Sequence, residues 1–217
     1  MSRKAGILLP IFSLPSEYGI GTLGRAAYRW VDFLNDAHQK LWQVLPVGPT
    51  SYGDSPYQSF SAFAGNPYFI DLELLCDQKL LTKDECAAIQ WEYTSKKIEY
   101  KILYDNRFSL LRKAYQRYPM KQSLNEFIKE NAWAHDYALF MAIKDSQMGK
   151  SWQEWPELLR NRNFEALAKA DRDYHDDILF YVFLQKMFFE QWENLKQYAN
   201  AKDVQIVGDI PIYVALD

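Results

Sequence analysis

Apolar residues recur along this chain at two spacings. Short continuous runs at 5–11 (AGILLPI), 41–47 (LWQVLPV) and 204–210 (VQIVGDI) are bounded by Pro, Gly and polar residues, the pattern of strands buried on both faces. Between the first two, Leu23, Ala26, Ala27, Trp30, Val31 and Leu34 share one face of a helix predicted over Thr22 to Asn35. From Leu72 to Asn200 the periodicity is almost wholly helical. There, Thr82-Lys83-Asp84-Glu85 and Ser123-Leu124-Asn125-Glu126 both read as capping boxes, and Tyr174 to Tyr198 as one long helix rich in Phe, Met, Leu and Trp.

The order strand, helix, strand is a β-α-β unit, and a right-handed crossover makes its strands parallel neighbours. A third strand of the same type returns only after the helical stretch. We therefore expect an α/β fold that opens a (β/α)8 (TIM) barrel, an architecture needing roughly 250 residues for eight units. The 217 residues divide into a barrel start at 1–71, a mainly helical insertion between the second and third strands at 72–200, and a third strand at 201–217 with which the chain ends before the barrel is complete.

The segment from Leu41 to Leu72 carries the candidate chemistry. After the predicted strand, Gly53, Pro56, Gly65 and Pro67 fix a long loop that sets Tyr52, Tyr57, Phe60, Phe63 and Tyr68 beside Ser51, Asp54, Ser55, Gln58 and Asn66. A pyranose has C–H groups on its faces and hydroxyls around its rim, so it is matched by flat aromatic surfaces and short hydrogen-bonding groups. A competing motif, Gly19-Ile20-Gly21-Thr22-Leu23-Gly24, fits G-x-G-x-x-G. Its context does not. Ser13-Leu14-Pro15-Ser16-Glu17-Tyr18 intervenes between it and the first strand, and Leu45, Pro46 and Val47 stand where an acidic ribose ligand is needed. The glycines are expected to turn the loop tightly and start the helix.

Composition narrows the partners. With 48% hydrophobic and 16% aromatic residues the chain supports one substantial core. Lys+Arg of 25 against Asp+Glu of 28, with no long run of either sign, argues against nucleic acid or an anionic membrane surface. No apolar run is long enough for a bilayer, and the N-terminus lacks a signal-peptide pattern. Cys76 and Cys86, with three histidines in the chain, indicate neither a disulfide framework nor a zinc site, and a cytoplasmic setting is expected. His38, His135 and His175 are isolated and are assigned no chemistry. Trp152 and Trp155 are expected in the core, and Phe60 and Phe63 in packing.

AGILLPIFSLPSEYGIGTLG, WQVLPVGPTSYGDSPYQSFSAFAGNPYFIDL and IVGDIPIYVALD together resemble successive landmarks of the 4-alpha-glucanotransferases called amylomaltases or disproportionating enzymes, glycoside hydrolase family 77. The resemblance implies a (β/α)8 barrel with helical insertions and transfer of α-1,4-glucan segments between maltooligosaccharides such as maltose, or onto glucose as acceptor, without metal or organic cofactor. It implies binding roles for Tyr57 beside the scissile bond, for its neighbours Ser55 and Asp54, for Tyr52 at an outer surface, and for Asp209 at the end of the third strand. It places the nucleophile, the acid/base and a third essential carboxylate on later strands, beyond residue 217, so no catalytic residue is expected within this chain. Asp105, Asp136, Asp145, Asp171, Asp173, Asp176 and Asp177 offer no substitute, because they fall in helical sequence where a solvated face or an N-terminal charge is expected. Two alternatives stay open: a non-catalytic glucan-binding fragment, and a hydrolytic relative of the α-amylase clan.

Overall fold

A computed structural model describes residues 3–50, 54–91 and 97–215. β1 (Gly6–Leu8), α1 (Arg25–Asp36) and β2 (Leu41–Gln43) form the first unit, followed by a two-residue strand, β3 (Gln58–Ser59). A helical series follows: α2 (Leu72–Asp77), α3 (Lys83–Ala87), α4 (Tyr100–Arg117), α5 (Gln122–Glu130), α6 (Trp133–Ser146), α7 (Glu157–Arg160), α8 (Phe164–Asp173) and α9 (His175–Ala201). The chain then returns as β4 (Gln205–Val207) and β5 (Tyr213–Val214).

Among the described residues, β1, β2 and β4 make one parallel sheet in the order β1-β2-β4, with Leu41 paired to both Gly6 and Gln205. The parallel arrangement of the three apolar runs is the expected one; their lengths are not. The first ladder stops at Leu9, whose N–H donates to Gln43 O at 3.0 Å, because Pro10 has no N–H and Ile11–Ser13 turn into a 3-10 helix. On the other side of β2, at the same end, Val44 N–H still donates to Val207 O at 3.0 Å before Pro46 ends the pairing.

α9 is the spine of the helical layer and packs against α1, α4, α5, α6, α8 and β4. Its Phe180, Phe183, Leu184, Phe188 and Leu195 are buried in one core with Leu23, Val31, Leu34, Trp42 and Tyr115. A helix apolar on so many faces must be surrounded, and this one is. The Thr82 box forms as its sequence predicts: Thr82 Oγ1 accepts from Glu85 N–H at 3.2 Å, and Glu85 Oε2 accepts from Thr82 N–H at 3.0 Å. The Ser123 box does not. α5 begins at Gln122, so Ser123 is already inside the first turn, where its hydroxyl donates to Met120 O at 2.7 Å instead of capping. Trp155 is buried as expected, but Trp152 is 39% exposed in a 3-10 turn at the surface. No helix among the described residues is long and apolar enough to cross a membrane.

Candidate substrate site

β3 pairs in parallel with β5, Gln58 against Tyr213 and Ser59 against Val214. Tyr57 immediately precedes β3 and Asp209 lies between β4 and β5, so this short pairing brings together two residues 152 positions apart. The Tyr57 phenol donates a 2.8 Å hydrogen bond to Asp209 Oδ2. Asp209 Oδ1 in turn accepts from Ile210 N–H at 2.8 Å, which fixes the carboxylate beyond the C-terminal end of β4. Hydrogen bonding to Asp209, followed by burial, raises the Tyr57 phenol above its ordinary range, so it stays a donor at neutral pH. Ser55 shapes the approach: its Oγ accepts from Tyr57 N–H at 3.3 Å and its carbonyl accepts from Gln58 N–H at 3.1 Å.

The other candidates separate from this pair. Asp54 occupies the left-handed region at φ 56°, a conformation Asp tolerates better than most residues. It lines a cavity of about 1320 Å³ between the loop and α4, α6 and α9, shared with Tyr68, Tyr100, Tyr104, Phe108 and Tyr137. Burial there pushes its carboxyl upward. Tyr57, Ser55 and Asp209 do not line that cavity. Tyr52 lies outside the described residues. Phe60 packs as expected, against Tyr137 and Phe140 with ring centroids 6.4 Å and 6.0 Å away. Phe63 departs from its packing role: it leans on Trp133 but remains 66% exposed.

What holds the loop was not apparent from sequence. Two buried glutamines on α9 each grip both backbone groups of one residue on its return leg. Gln185 Oε1 accepts from Gly65 N–H at 2.7 Å while its Nε2 donates to Gly65 O at 3.0 Å. Gln191 repeats the pattern on Asp71, at 2.7 Å and 3.3 Å. Each amide thus satisfies a donor and an acceptor that the core would otherwise strand. Gly65 is obligatory beside this clamp, since a Cβ there falls 2.0 Å from the Phe188 ring. The only available signal was a pair of Gln residues inside the apolar run of α9. Arg107 was also missed: its fully buried guanidinium donates to the Ile70 and Tyr18 carbonyls, and burial lowers its pKa to about 10.

The glycine motif serves packing. Gly24 precedes α1, and a Cβ on it falls 1.9 Å from Asp71 Oδ2, which also accepts from Thr22 Oγ1 at 2.6 Å. A carboxylate at the α1 N-terminus occupies the place a phosphate needs. The helical carboxylates are engaged as well: Asp105 with Lys101, Asp136 with Arg162, Asp171 with His135, Asp173 with Lys169 and Asp177 with Arg112. Asp176 and Asp145 accept from the Tyr115 and Tyr181 phenols. No group of three or more His, Cys, Asp or Glu among the described residues is arranged to hold a metal ion.

The sequence profile described as 4-alpha-glucanotransferase, glycoside hydrolase family 77, matches residues 9–217. The chain belongs to this family. It is 49% identical over 210 residues to a 4-alpha-glucanotransferase of Clostridium butyricum, covering 95% of this chain and 43% of that protein. To the Thermus thermophilus 4-alpha-glucanotransferase it is 42% identical over 224 residues, covering 100% of this chain and 44% of the relative. The solved structure of amylomaltase from Streptococcus agalactiae in complex with acarbose superposes with a TM-score of 0.95 at 41% identity, over 99% of this chain and 45% of that one. The Corynebacterium glutamicum amylomaltase, at 20% identity and a TM-score of 0.74, shares the fold. The chain therefore spans less than half the length of these family members.

Proposed function

We propose that these residues form the substrate-binding front of a 4-alpha-glucanotransferase, one that moves α-1,4-glucan segments between maltooligosaccharides, or onto glucose, by a retaining double displacement. The Tyr57–Asp209 hydrogen bond carries this reading. It sets an aromatic face and a carboxylate side by side beyond the C-terminal ends of parallel strands, where barrel enzymes build their sites. Tyr57 stacks on a glucose ring, Asp209 and Ser55 meet hydroxyls, and Asp54 with Tyr52 acts farther along the glucan. The acarbose bound by the Streptococcus agalactiae amylomaltase is consistent with such a ligand.

A retaining displacement needs two carboxyl groups roughly 5 Å apart, one as nucleophile and one as acid/base. The seven helical aspartates named above each face a basic side chain or a phenol, and Asp209 is held by Tyr57. We assign the catalytic pair to sequence outside residues 1–217. In this reading 1–71 and 201–217 contribute the first three strands of a (β/α)8 barrel, 72–200 is the insertion between its second and third strands, no cofactor takes part, and the protein works in the cytoplasm. Leu8, Ile210 and Ile212, exposed by 51%, 74% and 72% at the strands and their ends, are the apolar surface such a barrel covers. Residues 1–217, incubated with maltotriose and followed by chromatography, should release no glucose and form no longer oligosaccharide at a useful rate. Turnover comparable to a full-length family member would overturn the assignment of the missing carboxylates.

A further inference from the structure

Cys76 closes the last turn of α2 and Cys86 sits in α3, and their Sγ atoms are 3.9 Å apart with both thiols free. Their helices are short and their relative position is fixed. Lys79 adopts the left-handed conformation, φ 62°, and Leu80 and Leu81 N–H groups both return to Leu75 O, so the chain reverses within a few residues. The Thr82–Glu85 box starts α3 directly after that turn, and the Trp91 indole, which donates to Cys86 O at 2.8 Å, closes the far side. The two sulfurs are therefore held in contact by backbone geometry. Their exposure differs: Cys76 is half-buried, whereas Cys86 is fully buried.

We propose that Cys76 and Cys86 form a reversible modification site, a dithiol that a low-molecular-mass disulfide oxidises to an internal disulfide linking α2 to α3. Cys76, the reachable thiol, loses its proton and attacks one sulfur of the oxidant; the oxidant's S–S bond breaks and one small thiol departs. Cys86 then loses its proton and attacks Cys76 Sγ, the protein S–S bond forms, and the second small thiol leaves. The two cysteine protons end on the two departing thiols. The protein is oxidised by two electrons and the co-reactant is reduced by two. The sulfurs must close from 3.9 Å to about 2.05 Å, a movement within reach of side-chain rotation and a small shift of two short helices. Burial pushes both thiols up, Cys86 to about 12, so the pair rests protonated and exchange is slow. Tyr18, Glu73, Asp77, Lys83, Glu85 and Arg107 are the charged and titratable groups around it.

The test is incubation of the native chain with glutathione disulfide, followed by intact mass and peptide mapping. The wild-type chain should lose two hydrogens, yield a peptide linking Cys76 to Cys86, melt about 5 to 10 °C higher and return to its starting mass with a thiol reductant. Cys86→Ser should stop at a glutathione adduct on Cys76, and Cys76→Ser should react at least tenfold more slowly. The proposal fails if the native wild-type chain keeps two free thiols, or holds a lasting adduct on Cys76, while the same chain unfolded in guanidinium closes the bond. None of these readouts depends on glucan binding or transfer.

Discussion

The two legs of the aromatic loop are anchored in opposite ways. On the return leg, Gly65 and Asp71 are gripped by buried Gln185 and Gln191, and the neighbouring peptide is tied by Asn66 N–H to Val47 O at 2.8 Å. On the outgoing leg, Tyr57 is half-exposed; its phenol is held by Asp209, its N–H by the neighbouring Ser55 hydroxyl, and the chain after it by a two-residue strand pairing. Buried polar groups with every partner made resist opening, whereas an exposed pairing of two residues belongs to the low-stability end of a fold. The return leg thus belongs to the core, and the outgoing leg is the part we propose for the ligand. Breaking the first should destabilise the protein, and breaking the second should leave its stability unchanged and alter what it binds.

The largest expected effect is that of Gln185→Leu. It keeps the volume but leaves the Gly65 N–H and C=O buried and unpaired, at about 1 to 3 kcal/mol for each group, so denaturant unfolding should report a loss of about 2 to 6 kcal/mol. Gly65→Ala comes next. Its methyl meets the Phe188 ring, and overpacking of this kind costs about 1 to 3 kcal/mol. Equal stability of either variant and wild type would remove the anchored leg from the comparison.

A smaller effect concerns acid. The Arg117 guanidinium, 2.7 Å and 2.8 Å from the two Glu85 oxygens, is the main reason the Glu85 carboxyl falls to about 2, with the Thr82 N–H assisting. The folded value lies below the unfolded one. Its contribution is therefore complete above the ordinary carboxylate range and is lost as pH falls from about 4.5 toward 2. Arg117→Ala should flatten the stability profile in that window and leave the profile at higher pH parallel to wild type. The pair is partly exposed and screened by solvent, so the change is modest.

How much of this was legible in the sequence follows from the range of each interaction. The three apolar runs were readable as strands because each is short, apolar and bounded by Pro, Gly or polar residues, although the two-faced burial that such runs suggest is not found: β1 and β4 run exposed, half-buried, exposed. The Thr82 box was readable because its partners are three residues apart. Tyr57 and Asp209 stood out separately as candidates, but 152 residues lie between them, and no local spacing encodes their hydrogen bond. Gln185 and Gln191 are hidden in an apolar helix, where the binary pattern treats them as interruptions. Ser123 misled for the converse reason: the box motif was present, but the preceding turn had already started the helix. Asp54 was placed beside Tyr57 by the family resemblance; its backbone lies in the left-handed region and it lines the cavity, which Tyr57 does not.

The most direct test of the outgoing leg is calorimetric titration of maltoheptaose into the native chain and its Tyr57→Ala variant, with denaturant unfolding measured on both. Loss of one stacking face should weaken binding on the order of tenfold or more, taking the stacking of bases on aromatic side chains as the guide, while stability stays at the wild-type value. Equal affinity in two equally stable proteins would contradict the assignment of Tyr57 to the glucan and return this leg of the loop to packing.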